Sequence, residues 1–188
     1  MTDVIVLNGG SSSGKSSIVT RLQRILPDQW LALGVDTFLT GLPARMGGDA
    51  EGIVFDDDGR ITTGGDFTAL ENAWMAGVAA MVRAGAPVIV DDVFLGGAGS
   101  QGRWRGALDG LDVLWVGVRC DPEVAEAREA ARRDRIGGMA RQQAGLVHQG
   151  VAYDMEVDTS GRSADEVAAT IAAAVTRPAR RYDKTGRT

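Results

Sequence analysis

Gly9-Gly10-Ser11-Ser12-Ser13-Gly14-Lys15-Ser16 gathers three glycines, four serines and one of the chain's two lysines into eight positions. The run fits G-x-x-x-x-G-K-[ST], the spacing a backbone needs to wrap a phosphate chain. Gly9 and Gly14 let the main chain turn its N–H groups inward around an anion. A helix starting near Lys15 would direct its positive end at the same anion. Lys15 is then placed to neutralise β- and γ-phosphates, and the Ser16 hydroxyl to coordinate Mg²⁺. By this chain's own composition, a match arises by accident in roughly 4 of 1,000 such chains. The competing reading is a flexible turn with an exposed lysine. The context speaks against it, because an apolar strand candidate (residues 3–8) precedes the loop and a helical pattern follows.

Phosphoryl transfer needs further groups. A carboxylate must stand near the metal. Asp91 and Asp92 follow the apolar run Pro87 to Val90, and the C-terminal ends of parallel strands face the ligand crevice. Either acid fits. A second group must orient the acceptor hydroxyl, and Asp36 closes another strand candidate, Trp30 to Val35; its alternative role is a helix N-cap. Cations must meet the transferred group, and Arg128, Arg132, Arg133 and Arg135 form a dense patch with Gly137-Gly138 behind it. On a hinged segment these arginines could close over ATP. The plainer reading pairs them with Glu126, Glu129 and Asp134 across a solvated helix face. Function is favoured for Arg132 and Arg135. No Asn-Lys-x-Asp guanine reader occurs, which points to ATP rather than GTP. His148 is the one histidine and cannot make a metal site alone. Asp56-Asp57-Asp58-Gly59 lacks the alternating ligands of a calcium loop.

These residues need a scaffold, and strands alternate with helices along the whole chain. Ile18, Leu22 and Ile25 mark one face of a helix over 15–25, which Pro27 ends. Residues 53–55 and 60–62 flank a turn and read as a hairpin. Phe67, Leu70, Trp74, Val78 and Met81 predict a helix with Asp66 as N-cap and Gly85 just past its end. Arg103 to Leu108 predicts a short helix, Asp112 to Val118 a strand, and Glu123 to Arg133 and Met139 to His148 two helices. Val151 to Val157 predicts a last strand, and Ser163 to Glu166 has capping-box spacing before a final helix. Several strands are unbroken apolar runs, as when helices cover both sheet faces. The expected fold is α/β, a three-layer P-loop NTPase arrangement with a mostly parallel sheet.

The chain has 188 residues, a net charge of −5 and a single cysteine, Cys120. The length suits one domain over 1–176, with a lid segment near 126–140 and a basic tail over 177–188. One cysteine excludes an internal disulfide and fits a reducing, cytoplasmic setting. The acidic balance argues against nucleic acid, and no apolar stretch is long enough for a membrane span. Homo-oligomer formation is left open.

Asn8 to Ser16, Gly34-Val-Asp36, Asp91-Asp-Val-Phe-Leu-Gly-Gly97, Leu111 to Cys120 and Tyr153 to Thr159 together resemble the chloramphenicol phosphotransferase family, from about residue 3 to 175. The resemblance implies a nucleoside-monophosphate-kinase-like fold and ATP-dependent phosphorylation of chloramphenicol's primary hydroxyl. It implies Asp36 as the catalytic base, Gly9 to Ser17 (with Gly10, Ser11, Ser12, Ser13, Gly14, Lys15 and Ser16 between) as the phosphate loop, Arg132 and Arg135 as lid arginines, and Asp158-Thr159 near the adenine. The stretch 37–52 departs most from the family pattern. Phe38, Leu39, Leu42, Met46 and Phe55, with Val93, Phe94 and Leu95, are candidates for an apolar acceptor pocket beside Asp36. The expected partner is a small antibiotic alcohol. The alternatives are a kinase of a metabolite alcohol and a nucleotide-binding switch without catalysis. An anionic metabolite would call for a basic pocket, and residues 37–55 offer only Arg45.

Overall fold

The computed structural model describes residues 1–56, 60–131 and 138–176. Along the chain come β1 (Val4–Asn8), α1 (Lys15–Ile25), β2 (Leu31–Gly34), α2 (Val35–Thr40), a 3-10 turn (Ala44–Met46), β3 (Ile53–Phe55), β4 (Ile61–Thr63) and α3 (Gly65–Arg83). Then follow β5 (Val88–Asp92), α4 (Ala98–Ala107), β6 (Val113–Arg119), α5 (Pro122–Ala130), α6 (Met139–Leu146), β7 (Met155–Asp158) and α7 (Ala164–Ala174). Five strands make one sheet in the order β2-β5-β1-β6-β7, each pair parallel. Strands β3 and β4 form a separate antiparallel hairpin, with Ile53 opposite Thr63. No described helix is long and apolar enough to cross a membrane.

Side-chain alternation divides the core into two layers. Ile5 and Leu7 of β1 and Ile89 of β5 pack with Ile18 and Leu22 of α1 and Val167 and Ile171 of α7. Val4, Val6, Val88 and Val90 face the other way, onto Met75, Val78 and Val82 of α3 and Trp104 of α4. Both faces are covered, which is why these strands read as unbroken apolar runs. A third cluster, Phe38, Met46, Ile53 and Phe67, lies apart from the sheet and joins α2 and the hairpin to the start of α3.

Several boundaries differ from the sequence reading. In α3 the cap position is Gly64, and Asp66 lies inside the first turn. The freed amides are met from outside: Gly65 N–H donates to the Glu51 carboxylate at 3.2 Å and Phe67 N–H to the Glu51 carbonyl at 3.1 Å. A side chain at Gly64 would collide with that backbone, its Cβ falling 2.3 Å from Ala50 O. Helix α4 starts at Ala98, not 103, because its three interior glycines hide it from propensity. Gly85 does follow the end of α3, with φ 100°. Ser163 and Glu166 do form a reciprocal capping box. The tail 177–188 lies outside the described residues.

Candidate active site

The phosphate loop leaves β1 at Asn8 and enters α1 at Lys15. Gly14 takes φ 92° and Ser12 φ 58°. The first is a glycine's natural conformation; the second costs a serine of order 1–3 kcal/mol and needs support from its surroundings. Gly9 is required by space, since a Cβ there would lie 2.6 Å from the Val118 carbonyl of β6. The side-chain oxygens of Ser11, Ser12 and Ser13 are buried without a hydrogen-bond partner among the described residues. Three orphaned hydroxyl donors around one loop suit an anion rich in acceptor oxygens. Lys15 is 7% exposed and donates to Gly9 O at 2.8 Å and Gly10 O at 3.0 Å. Its ammonium is therefore held at the mouth of the loop, where a phosphate can replace the carbonyls.

A cation corner adjoins it. Ser16 Oγ donates to Asp91 Oδ2 at 3.0 Å, and Lys15 Nζ stands 3.7 Å from Asp91 Oδ1. One hydroxyl and one carboxylate beside a phosphate site fit Mg²⁺, which keeps several waters and takes few protein ligands. The sequence leaves Asp91 and Asp92 both open as the metal's carboxylate, and the structure parts them. Residues 89 and 91 face α1, whereas 90 and 92 face α3 and α4. Asp92 is 7% exposed and accepts from the Trp104 indole at 2.5 Å and from Val93 N–H at 2.6 Å. Burial pushes its pKa up to about 6. It anchors α4 and does not reach the Ser16 side.

Asp36 sits in the first turn of α2, exposed, just beyond β2. Gly34 pairs in register with Asp91, and a Cβ at Gly34 would come within 3.1 Å of the Asp91 carbonyl. That glycine lets β2 close on β5 and brings the start of α2 to the same sheet end as the phosphate loop. Thr37, the residue after Asp36, borders a cavity of about 710 Å³ that is also walled by Phe38, Leu42, Met46, Leu70 and Trp74. Phe38 meets the Phe67 ring edge-on at 5.4 Å and lies 6.0 Å from Trp74. Of the pocket residues expected from sequence, Phe38, Leu42 and Met46 line the cavity and Leu39 packs on their cluster. Phe55 faces solvent, because it lies on the open side of the hairpin, and Phe94 is wholly buried against Trp115.

Behind the loop lies a buried polar hub. Asn8 is 1% exposed; its Nδ2 donates to Val147 O at 2.7 Å and to the Tyr153 hydroxyl at 2.6 Å, and its Oδ1 accepts from Phe94 N–H. The phenol proton is left for His148 Nδ1, 2.6 Å away, which must be unprotonated to accept it. Burial, and then the Arg119 charge, lower the His148 pKa to about 4. An unfolded chain takes up this proton near pH 6.5, the folded protein only near 4. Stability from this group is full above pH 6.5 and falls as the pH drops toward 4. Asp92 opposes it, because the folded form gains a proton below about 6. Replacing His148 with asparagine retains an acceptor for Tyr153. Thermal melting between pH 7 and 4.5 is expected to show a smaller acid-side loss of Tm in H148N than in the parent; an equal loss would contradict the assignment.

Thr159, expected near the adenine, turns its side chain to the loop: Oγ1 lies 2.8 Å from Ser13 O and the residue is 4% exposed. Asp158 is exposed and accepts from Ser160 N–H, which lowers its pKa. Arg128 donates to Thr159 O at 2.6 Å and lies 3.4 Å from Cys120 Sγ, so it braces this segment. Arg132 and Arg135, with Arg133, lie outside the described residues. Glu129, expected as an arginine partner on a solvated face, is instead 5% exposed, and Gln143 had no sequence expectation. Glu129 accepts from Gly138 N–H and Ala140 N–H, capping α6 from α5. Gln143 accepts from Ser11 N–H at 2.7 Å. Their partners are 9 to 132 residues away, and no local pattern marks them.

The sheet order, the loop after the first strand and the Lys15–Ser16–Asp91 corner define a P-loop kinase fold. Among solved structures, a sugar kinase from Janibacter sp. HTCC2649 superimposes with TM-score 0.66 at 15% identity, covering 91% of this chain and 92% of that one. The tunicamycin resistance protein of Deinococcus radiodurans gives 0.65 at 19% identity, covering 94% and 96%. The Mycobacterium tuberculosis APS kinase CysC, bound to AMPPNP and APS, gives 0.59 at 18%, covering 90% and 95%. The model of the chloramphenicol phosphotransferase-like protein family matches residues 2–176, and the chain belongs to that family. Proteins of two Mycobacterium tuberculosis strains named "Putative O-phosphotransferase" are 30% identical over 180 residues, 88% of this chain and 78% of theirs. Membership of this family makes the protein a phosphotransferase.

Proposed function

We propose that the protein moves the terminal phosphoryl group of Mg·ATP onto a hydroxyl of chloramphenicol or a closely related antibiotic alcohol, inactivating it. The carrying observation is the largely apolar cavity of about 710 Å³ bordered by Thr37 and Phe38 of α2, the helix whose first turn holds Asp36. Among the described residues its lining carries the acids Asp49, Glu51 and Asp66 and one base, Arg45. An acceptor carrying carboxylate or phosphate meets repulsion there, whereas an uncharged aromatic alcohol meets Phe38 and Trp74. This favours the antibiotic reading over kinases of anionic metabolites.

Bound Mg·ATP supplies the electrophilic phosphorus and the charge-neutralising metal. Loop N–H groups and the serine hydroxyls hold the phosphates, and Lys15 exchanges its carbonyl partners for phosphate oxygens. Ser16 and Asp91 would hold the metal. Asp36 accepts a hydrogen bond from the acceptor hydroxyl and aims it in line. Little proton removal is needed early in a loose transition state, so orientation is its main task. Incubation with ATP, Mg²⁺ and chloramphenicol, followed by mass spectrometry, is expected to show one added phosphoryl group and acceptor-dependent ADP release. ATP consumption unaffected by any uncharged antibiotic alcohol would point to the metabolite or switch readings instead.

A further inference from the structure

Ser12 holds a left-handed backbone (φ 58°) between two neighbours that are each held by a residue of another element. On one side Ser11 N–H donates to Gln143 Oε1 at 2.7 Å, from the middle of α6. On the other, Thr159 Oγ1 donates to Ser13 O at 2.8 Å, from the end of β7. Gln143 is 2% exposed and Thr159 4% exposed. Gly10 completes the fit, since a Cβ there would lie 3.2 Å from Gln143 Cβ and 3.3 Å from its carbonyl carbon, so α6 abuts the loop. Helix α6 is itself fixed at both ends, by Glu129 at Gly138 and Ala140 and by Asn8 at Val147. A glycine-rich loop with one strained serine does not keep its shape unaided. Here two buried side chains, one accepting and one donating, hold the residues on either side of the strained one.

We propose that Gln143 is a positioning residue for phosphoryl transfer: it fixes the first turn of the phosphate loop in its anion-binding shape before nucleotide arrives, with Thr159 as the second grip. This rests on the phosphate-loop part of the functional reading. The Ser11 N–H is committed to Gln143, so the side chain acts through the loop and does not touch substrate. Loss of the grip lets the loop sample shapes that do not bind phosphate, and the apparent nucleotide affinity falls by the competent fraction.

Three full-length variants test it. Gln143→Met preserves size and removes the acceptor; Gln143→Glu preserves an acceptor; Thr159→Val removes the hydroxyl. Calorimetric binding of Mg·ATP and of adenosine, with steady-state kinetics toward ATP and acceptor, separates the roles. Q143M and T159V are each expected to weaken Mg·ATP binding about tenfold, the equivalent of one buried hydrogen bond. In Q143M, adenosine binding and the acceptor KM should stay within about twofold. Q143E should recover part of the loss, and more of it at raised ionic strength, where its charge is screened from the phosphates. Wild-type Mg·ATP affinity in Q143M overturns the proposal, as does an equal loss for adenosine and acceptor or a Q143E no better than Q143M. If Q143M fails to fold, Q143E and T159V decide by the same criteria. A wild-type chain that binds no Mg·ATP overturns both the functional reading and this inference, whereas nucleotide binding indifferent to residue 143 overturns the inference alone.

Discussion

Lys15→Ala is expected to lower kcat for phosphoryl transfer by about 10²–10³-fold, the usual cost of removing one preorganised donor from a developing charge. Lys15 is a well-placed cation because it is nearly buried, held by two loop carbonyls and faced by Asp91 at 3.7 Å. A low-dielectric position strengthens its pull on phosphate oxygens. Alanine also leaves Gly9 O and Gly10 O without their donor, which costs stability of order 1–3 kcal/mol. Rates should therefore be compared below the variant's melting temperature, with folding checked by circular dichroism. Transfer at the parental rate would mean that the loop does not hold the reacting phosphates.

Asp36→Asn should bind Mg·ATP as the parent does while kcat falls about 10²-fold, the lower end of what a positioned acid–base group contributes. The substitution keeps the shape of α2's first turn but replaces an anionic acceptor with an amide. The phosphate loop is a separate segment and should not register the change. The expected split is thus an unaltered nucleotide affinity with a collapsed transfer rate, read by calorimetry and ADP release on the same preparation. An unchanged kcat would reduce Asp36 to a helix-start residue.

The sequence exposed most where the chemistry is local. The phosphate loop needs a fixed spacing of glycine, lysine and serine, and those contacts are made within a few residues. The parallel, doubly covered sheet was equally readable from unbroken apolar runs. The Asp91–Asp92 choice was open although alternation contains the answer. Val88 and Val90 share a face with Asp92, and Ile89 shares one with Asp91. Which face α1 covers depends on the crossover, and that is a property of the whole sheet. Asp66 misled because an acid before an apolar pattern looks like a cap, while the cap was supplied by Glu51 from another segment. Gln143 was hidden for the same reason, and Thr159, expected near the adenine, gains its hold on the loop only when folding brings it there.

Calorimetric titration of the purified full chain with ATP in the presence of Mg²⁺ tests the core of the account most directly. One saturable site is expected, abolished or strongly weakened in K15A and retained in D36N. Absence of binding heat over a range of temperatures, or equal binding by the K15A variant, would contradict it.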